Sequence, residues 1–126
     1  MRPAEAEVLI RAGADCLAKD KYGFTPLHSA ALINNDKVAD VLLKAGVDPD
    51  VVATGDLEGQ TALHCAATMG QPHVARVLLL AGANPNAEDA FGYTPLDSTR
   101  DPLGGVSSTG QEMVAALLLK AQQGNT

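Results

Sequence analysis

Apolar residues along this chain gather in short runs that end on the same small-residue stop. Val8-Leu9-Ile10-Arg11-Ala12-Gly13-Ala14-Asp15 returns as Val41-Leu42-Leu43-Lys44-Ala45-Gly46-Val47-Asp48 and as Val77-Leu78-Leu79-Leu80-Ala81-Gly82-Ala83-Asn84. Each run predicts a helix that closes at its glycine, the residue that takes a left-handed conformation without a Cβ penalty. A second family of helix starts lies between them: Gly23-Phe24-Thr25-Pro26-Leu27-His28, Gly59-Gln60-Thr61-Ala62-Leu63-His64 and Gly92-Tyr93-Thr94-Pro95-Leu96-Asp97. Thr25 and Thr94 are N-cap candidates followed by a proline at the first helical position, where the missing N–H costs nothing. The pairs Ala30-Ala31 and Ala66-Ala67 keep one helix face small, so neighbouring units approach closely while Leu27, Val38, Val41 and Leu42 fill the core.

The glycines of the second set are 59 − 23 = 36 and 92 − 59 = 33 positions apart. A period near ~33 with a Thr-Pro-Leu-His core resembles the ankyrin repeat family, and the resemblance spans nearly the whole chain. It implies an all-α solenoid forming a single domain over 1–126: a half-repeat at 1–19, then about three full repeats at 20–55, 56–88 and 89–126. It also implies that His28 and His64 are structural, bonding to the backbone of the adjacent hairpin. Two positions depart from the pattern, Ala62 for the proline and Asp97 for the histidine, so capping and bonding between repeats are less secure there. Arrays of this kind bind partners and seldom catalyse.

In the ankyrin family the hairpin tips and the exposed inner-helix positions form a concave binding surface. All four aromatic residues of this chain sit at tips, as Tyr22-Gly23-Phe24 and Phe91-Gly92-Tyr93, and Tyr and Phe are enriched in interface cores. The expected partner-binding face is therefore Lys21, Tyr22, Phe24, Leu32 and Ile33 in the first full repeat. Leu57, Glu58, Gln60, Thr68 and Met69 continue it, and Ala90, Phe91 and Tyr93 close it. The function expected is a protein–protein interaction module without catalysis of its own. A second reading, a regulatory subunit or inhibitor that occludes an enzyme's site, uses the same face.

Composition narrows the alternatives. No apolar run approaches the ~18 residues needed to span a bilayer, and Met1-Arg2-Pro3-Ala4-Glu5 lacks the layout of a secretory signal, so a cytoplasmic protein with no membrane association is expected. The net charge of −6 lies wholly in 45–126, which hold three basic and nine acidic residues. That favours a partner with a basic surface and disfavours nucleic acid. Cys16 and Cys65 read as reduced thiols, and with His28, His64 and His73 they show no metal-ligand spacing. No cofactor is expected, and no nucleophile, base and orienting group stand at usable spacing. Cys65 follows His64 directly, but neighbours on a helix point about 100° apart.

Three irregularities particularise the chain. Gly46 to Gly59 spans 13 positions where the other glycine-to-glycine junctions span 10, and this lengthened hairpin is expected to bulge into solvent. Seven residues are added between the helices of the last repeat, and Pro, Gly and Ser at 100–110 predict a loop, with Ser107 and Ser108 as candidate phosphorylation sites. The inner helix of the N-terminal half-repeat is missing, so the chain is expected to be a monomer or a piece of a longer array. Asn86 resembles the hairpin asparagines that are hydroxylated in the family.

Overall fold

The computed structural model describes residues 19–55, 58–99 and 109–123. Among them are six helices: α1 (Pro26–Leu32), α2 (Asp36–Lys44), α3 (Ala62–Met69), α4 (Pro72–Leu80), α5 (Pro95–Ser98) and α6 (Thr109–Gln122). The extended pairing among the described residues is one isolated antiparallel bridge between Val52 and Thr61. Inner helices stack in a row, α1 on α3 and α3 on α5, and outer helices form a second row, α2 on α4 and α4 on α6. Each inner helix also packs on its own outer partner. The result is an all-α solenoid of two helical layers.

Local chemistry accounts for where the helices begin. Thr61 Oγ1 accepts the His64 N–H at 3.3 Å and Thr94 Oγ1 accepts the Asp97 N–H at 3.3 Å, each satisfying a donor the first helical turn leaves unpaired. Capping therefore survives both departures from the repeat pattern, the alanine at 62 and the aspartate at 97. Asn35 Oδ1 starts α2 by accepting the Val38 N–H at 3.1 Å.

Alanine sets the spacing of the layers. Ala30, Ala31, Ala66 and Ala67 are all buried, which lets the inner helices come close while Leu27, Leu63, Val74, Leu78, Val114 and Leu118 fill the space between rows. Such a core exists only once units stack, because each unit's apolar face is buried by its neighbour.

Two sequence expectations are corrected. The lengthened middle hairpin does not simply bulge into solvent. Ala53 within it is fully buried, the Thr54 N–H donates to the Gly23 carbonyl at 3.2 Å, and the Ala90 N–H donates to the Glu58 carbonyl at 3.1 Å. Backbone of the lengthened hairpin thus bonds to both neighbours. Gly110, read as part of a loop, lies in the first turn of α6, where a Cβ would collide with the Gly70 carbonyl; it is glycine so that α6 can lie on the end of α3. The N-terminal half-repeat with Cys16, and the stretch carrying Ser107 and Ser108, fall outside the described residues.

Candidate functional site: the hairpin tips

The first and third tips are each built by an aspartate three residues before the glycine. Asp20 Oδ1 accepts the N–H groups of Tyr22 at 2.9 Å and Phe24 at 3.0 Å. Asp89 Oδ1 does the same for Phe91 at 2.9 Å and Tyr93 at 3.0 Å. The Asp20 N–H bonds the Phe24 carbonyl, and the Asp89 N–H bonds the Tyr93 carbonyl, both at 2.9 Å, closing each tip from the other side. The tips are consequently fixed frames rather than free loops. Neither aspartate was among the expected site residues, yet both were visible as Asp-x-x-Gly, repeated at Asp20, Asp56 and Asp89.

On these frames Tyr22 is 61% exposed, Phe91 71% and Tyr93 57%. Phe24 is different and corrects the expected face: it is 9% exposed, with its ring turned inward against His28, centroids 5.5 Å apart. It is a core residue. Leu32 is likewise half-buried and packed against the core, and its carbonyl accepts from Gln71 Nε2 at 3.0 Å. Gln60 is half-buried, and its carbonyl is an acceptor in the contacts between units. Lys21, Ile33, Glu58, Thr68, Met69 and Ala90 are exposed, and Leu57 lies outside the described residues. The Lys21 ammonium sits 5.0 Å from the Tyr22 ring centroid, in cation–π range.

Beneath the tips the two histidines latch one unit to the next. His28 Nε2 lies 2.8 Å from the Gln60 carbonyl, and His64 Nε2 lies 2.7 Å from the Tyr93 carbonyl. A carbonyl only accepts, so Nε2 carries the proton in each ring and Nδ1 is left as acceptor. Nδ1 of His28 receives the Thr25 N–H at 3.2 Å, and Nδ1 of His64 receives the Thr61 N–H at 3.1 Å. At the third position the Thr94 N–H donates to the Asp97 carboxylate at 3.0 Å. Burial, above all, holds the His28 pKa below its ordinary value, with nearby Lys19 and His64 adding to the effect; the Gln60 carbonyl and Asp20 oppose it.

The chemistry of the His64-Cys65 neighbours follows from these bonds. Both nitrogens of His64 are engaged with Thr61 and Tyr93, and burial pushes the Cys65 thiol up to about 12. At neutral pH that thiol is protonated, buried and without a base. Among the described residues no three His, Cys, Asp or Glu side chains gather as a metal-holding group, and no helix is long and apolar enough to cross a membrane.

Stacked two-helix units, histidine latches and stitched tips define a repeat solenoid of the interaction-module kind. The chain belongs to the ankyrin repeat family: the family profile, described as ankyrin repeats in three copies, matches residues 3–89. It is similar to a putative ankyrin repeat protein, FPV244, of fowlpox virus (strain NVSL), at 42% identity over 52 residues, 41% of this chain and 8% of the viral protein. It is also similar to the mitochondrial disaggregase of Bos taurus, at 45% identity over 47 residues, 37% of this chain and 7% of that protein. The matched stretch is therefore less than a tenth of the length of either relative. Ankyrin repeats are generally protein–protein interaction modules.

Proposed function

We propose that this chain binds a partner protein through the row of hairpin tips and the exposed positions of the inner helices, and performs no chemistry of its own. The observation that carries the reading is the exposure of Tyr22, Phe91 and Tyr93 on tips whose backbones are already fixed by Asp20 and Asp89. Large apolar rings held in place lose little further freedom on binding, so most of their contact energy appears as affinity. Ile33 and Met69, exposed where α1 and α3 end, roughly 10 Å along those helices from the tips, add apolar area to the inner-helix layer. Phe24 stays in the core and serves the face by supporting it.

The test is capture from a lysate of the source cells, comparing the unaltered chain with a Tyr22→Ser, Phe91→Ser, Tyr93→Ser variant. The three side chains are exposed, so the variant is expected to keep its circular dichroism spectrum and to lose the partner. A folded variant that retains the same proteins overturns the assignment of this face.

A further inference from the structure

The basic side chains are not scattered over the described surface. Lys37, Lys44, Arg76 and Lys120 ride on the outer helices α2, α4 and α6, and Lys44 is paired with Asp40 at 2.8 Å. On the described tips and inner helices, Lys and Arg are represented by Lys19 and Lys21 alone, and both stand at the first tip. They border a groove of about 500 Å³ walled by Tyr22, Phe24, Thr54 and Gly55. Lys19 Nζ leans over the second hairpin, 3.5 Å from Thr54 Oγ1, while Lys21 Nζ stands over the Tyr22 ring. Asp20, between them in sequence, directs its carboxylate into its own turn. Among the described residues neither lysine forms an ion pair.

The other end of the row has the opposite sign. Asp50 and Asp89 are engaged with backbone N–H groups, but Glu58 and Glu88 are exposed beside the third tip, with Glu58 bonded through its carbonyl to Ala90. Phe91 and Tyr93 stand next to them. From Gly23 to Thr54, from Ala53 to Gln60 and from Glu58 to Ala90 the backbone is hydrogen-bonded at each step. The first and third tips are thus separated by three strand-like spacings, about 14 Å at roughly 4.8 Å each. An extended chain covers that distance in about four residues, at roughly 3.3 Å per residue.

We propose that the tip row is electrically polarised and takes an extended partner segment with an acidic side chain at one end, a basic side chain about four residues away, and apolar residues between. The acidic group sits between Lys19 and Lys21, the apolar residues lie across Tyr22, and the basic group meets Glu58 and Glu88 against the faces of Phe91 and Tyr93. This rests on the reading of the tips as the binding face and goes beyond it by naming the partner's charge order. The net charge of −6 by itself points to a uniformly basic partner; the lysine pair at the first tip, with no ion pair among the described residues, says otherwise. Like charges facing one another across an interface reject wrong partners more strongly than matched ones add affinity.

The experiment pans a random peptide display library against three forms of the chain: unaltered, Lys19→Glu/Lys21→Glu, and the three-serine tip variant. A synthetic peptide of the resulting consensus is then titrated by fluorescence anisotropy. The expected consensus carries separated acidic and basic residues, the lysine-reversed chain selects a base where the unaltered chain selects an acid, and it binds the original peptide about tenfold more weakly. A milder Lys19→Gln/Lys21→Gln form weakens the same peptide without reversing the selection. A consensus that is uniformly basic or uncharged, yet lost by the three-serine variant, overturns the polarity and leaves the tip face standing. The absence of any peptide lost by the three-serine variant overturns both.

Discussion

Replacing His64 with alanine should open the junction between the second and third units while leaving the first intact. The ring is fully buried, and its nitrogens hold the Thr61 N–H at 3.1 Å and the Tyr93 carbonyl at 2.7 Å. Losing the bond to Tyr93 costs about 1 kcal/mol, and leaving the Thr61 N–H buried without an acceptor costs about 1–3 kcal/mol. Tyr93 is not orphaned, because its carbonyl keeps the Asp89 N–H at 2.9 Å. The unfilled ring volume adds on the order of 1 kcal/mol, for a total of about 3–5 kcal/mol, a large share of the 5–15 kcal/mol that holds a native domain together. With a urea slope of roughly 2 kcal/mol/M, the midpoint measured by far-ultraviolet circular dichroism falls by about 2 M. Hydrogen exchange should accelerate in α5 and α6 before α1 and α2, since a linear array loses stability at the junction that was cut. The control is Asp97→Ala, whose exposed carboxylate accepts from the Thr94 N–H and hydroxyl within its own turn and should cost about 1 kcal/mol. If His64→Ala is no more costly than Asp97→Ala, or loosens all helices evenly, the latch does not couple the units.

Acidification should weaken the array. The folded-state pKa of His28 lies below the unfolded value of 6.5, so the unfolded chain binds more protons and stability rises with pH; the contribution of His28 is present above about 6.5 and is lost as pH falls through 6.5 towards the folded pKa. Urea midpoints at pH 8 and at pH 5.5 check this, and a His28→Gln form should flatten the difference. Gly59→Ala places a Cβ 2.7 Å from the Ala90 nitrogen at a backbone φ of +84°; a loss of about 2–4 kcal/mol is expected, together with faster exchange of the Ala90 amide. Asp89→Ala should release the Phe91 and Tyr93 amides to exchange at an overall cost of about 2 kcal/mol, while the Asp20 tip remains protected. The Cys65 thiol, buried and pushed up to about 12, should resist iodoacetamide at pH 7.4 until urea unfolds the chain, as read by mass spectrometry of its own peptide.

The helical frame was legible because its punctuation is local: a threonine cap, a proline at the first helical position, a glycine stop. Ala62 shows how little the proline was needed once Thr61 and His64 satisfied the turn. The tip rings were legible in part. Tyr22 and Phe24 flank one glycine, and sequence alone treats them alike, yet one ring faces solvent and the other lies on His28. Which side a ring takes depends on what the neighbouring hairpin leaves open, a contact between units that periodicity does not encode. The stitching of the middle hairpin was hidden for the same reason, because backbone N–H and carbonyl groups carry no sequence signal; the glycines that permit the approach, Gly23 against Thr54 and Gly59 against Ala90, are its trace. Gly110 looked like loop punctuation because the distinction between a flexible glycine and a tightly packed one lies in the opposing surface.

The latches have a grammar. Each unit speaks as a donor to the one after it: His28 to the carbonyl of Gln60, whose peptide partner Thr61 passes an N–H to His64, which speaks in turn to Tyr93 and through Thr94 to Asp97. Every bond points the same way, so the peptide dipoles along the route reinforce one another. Asp97 is where the sentence stops, since an ionised carboxylate accepts and has no proton to hand on. Units of this chain are therefore not interchangeable tiles. A designer who wished to add another hairpin beyond α5 would first have to write a histidine at position 97, and one who moved the Asp97 unit to the middle would leave the following hairpin's carbonyl unaddressed.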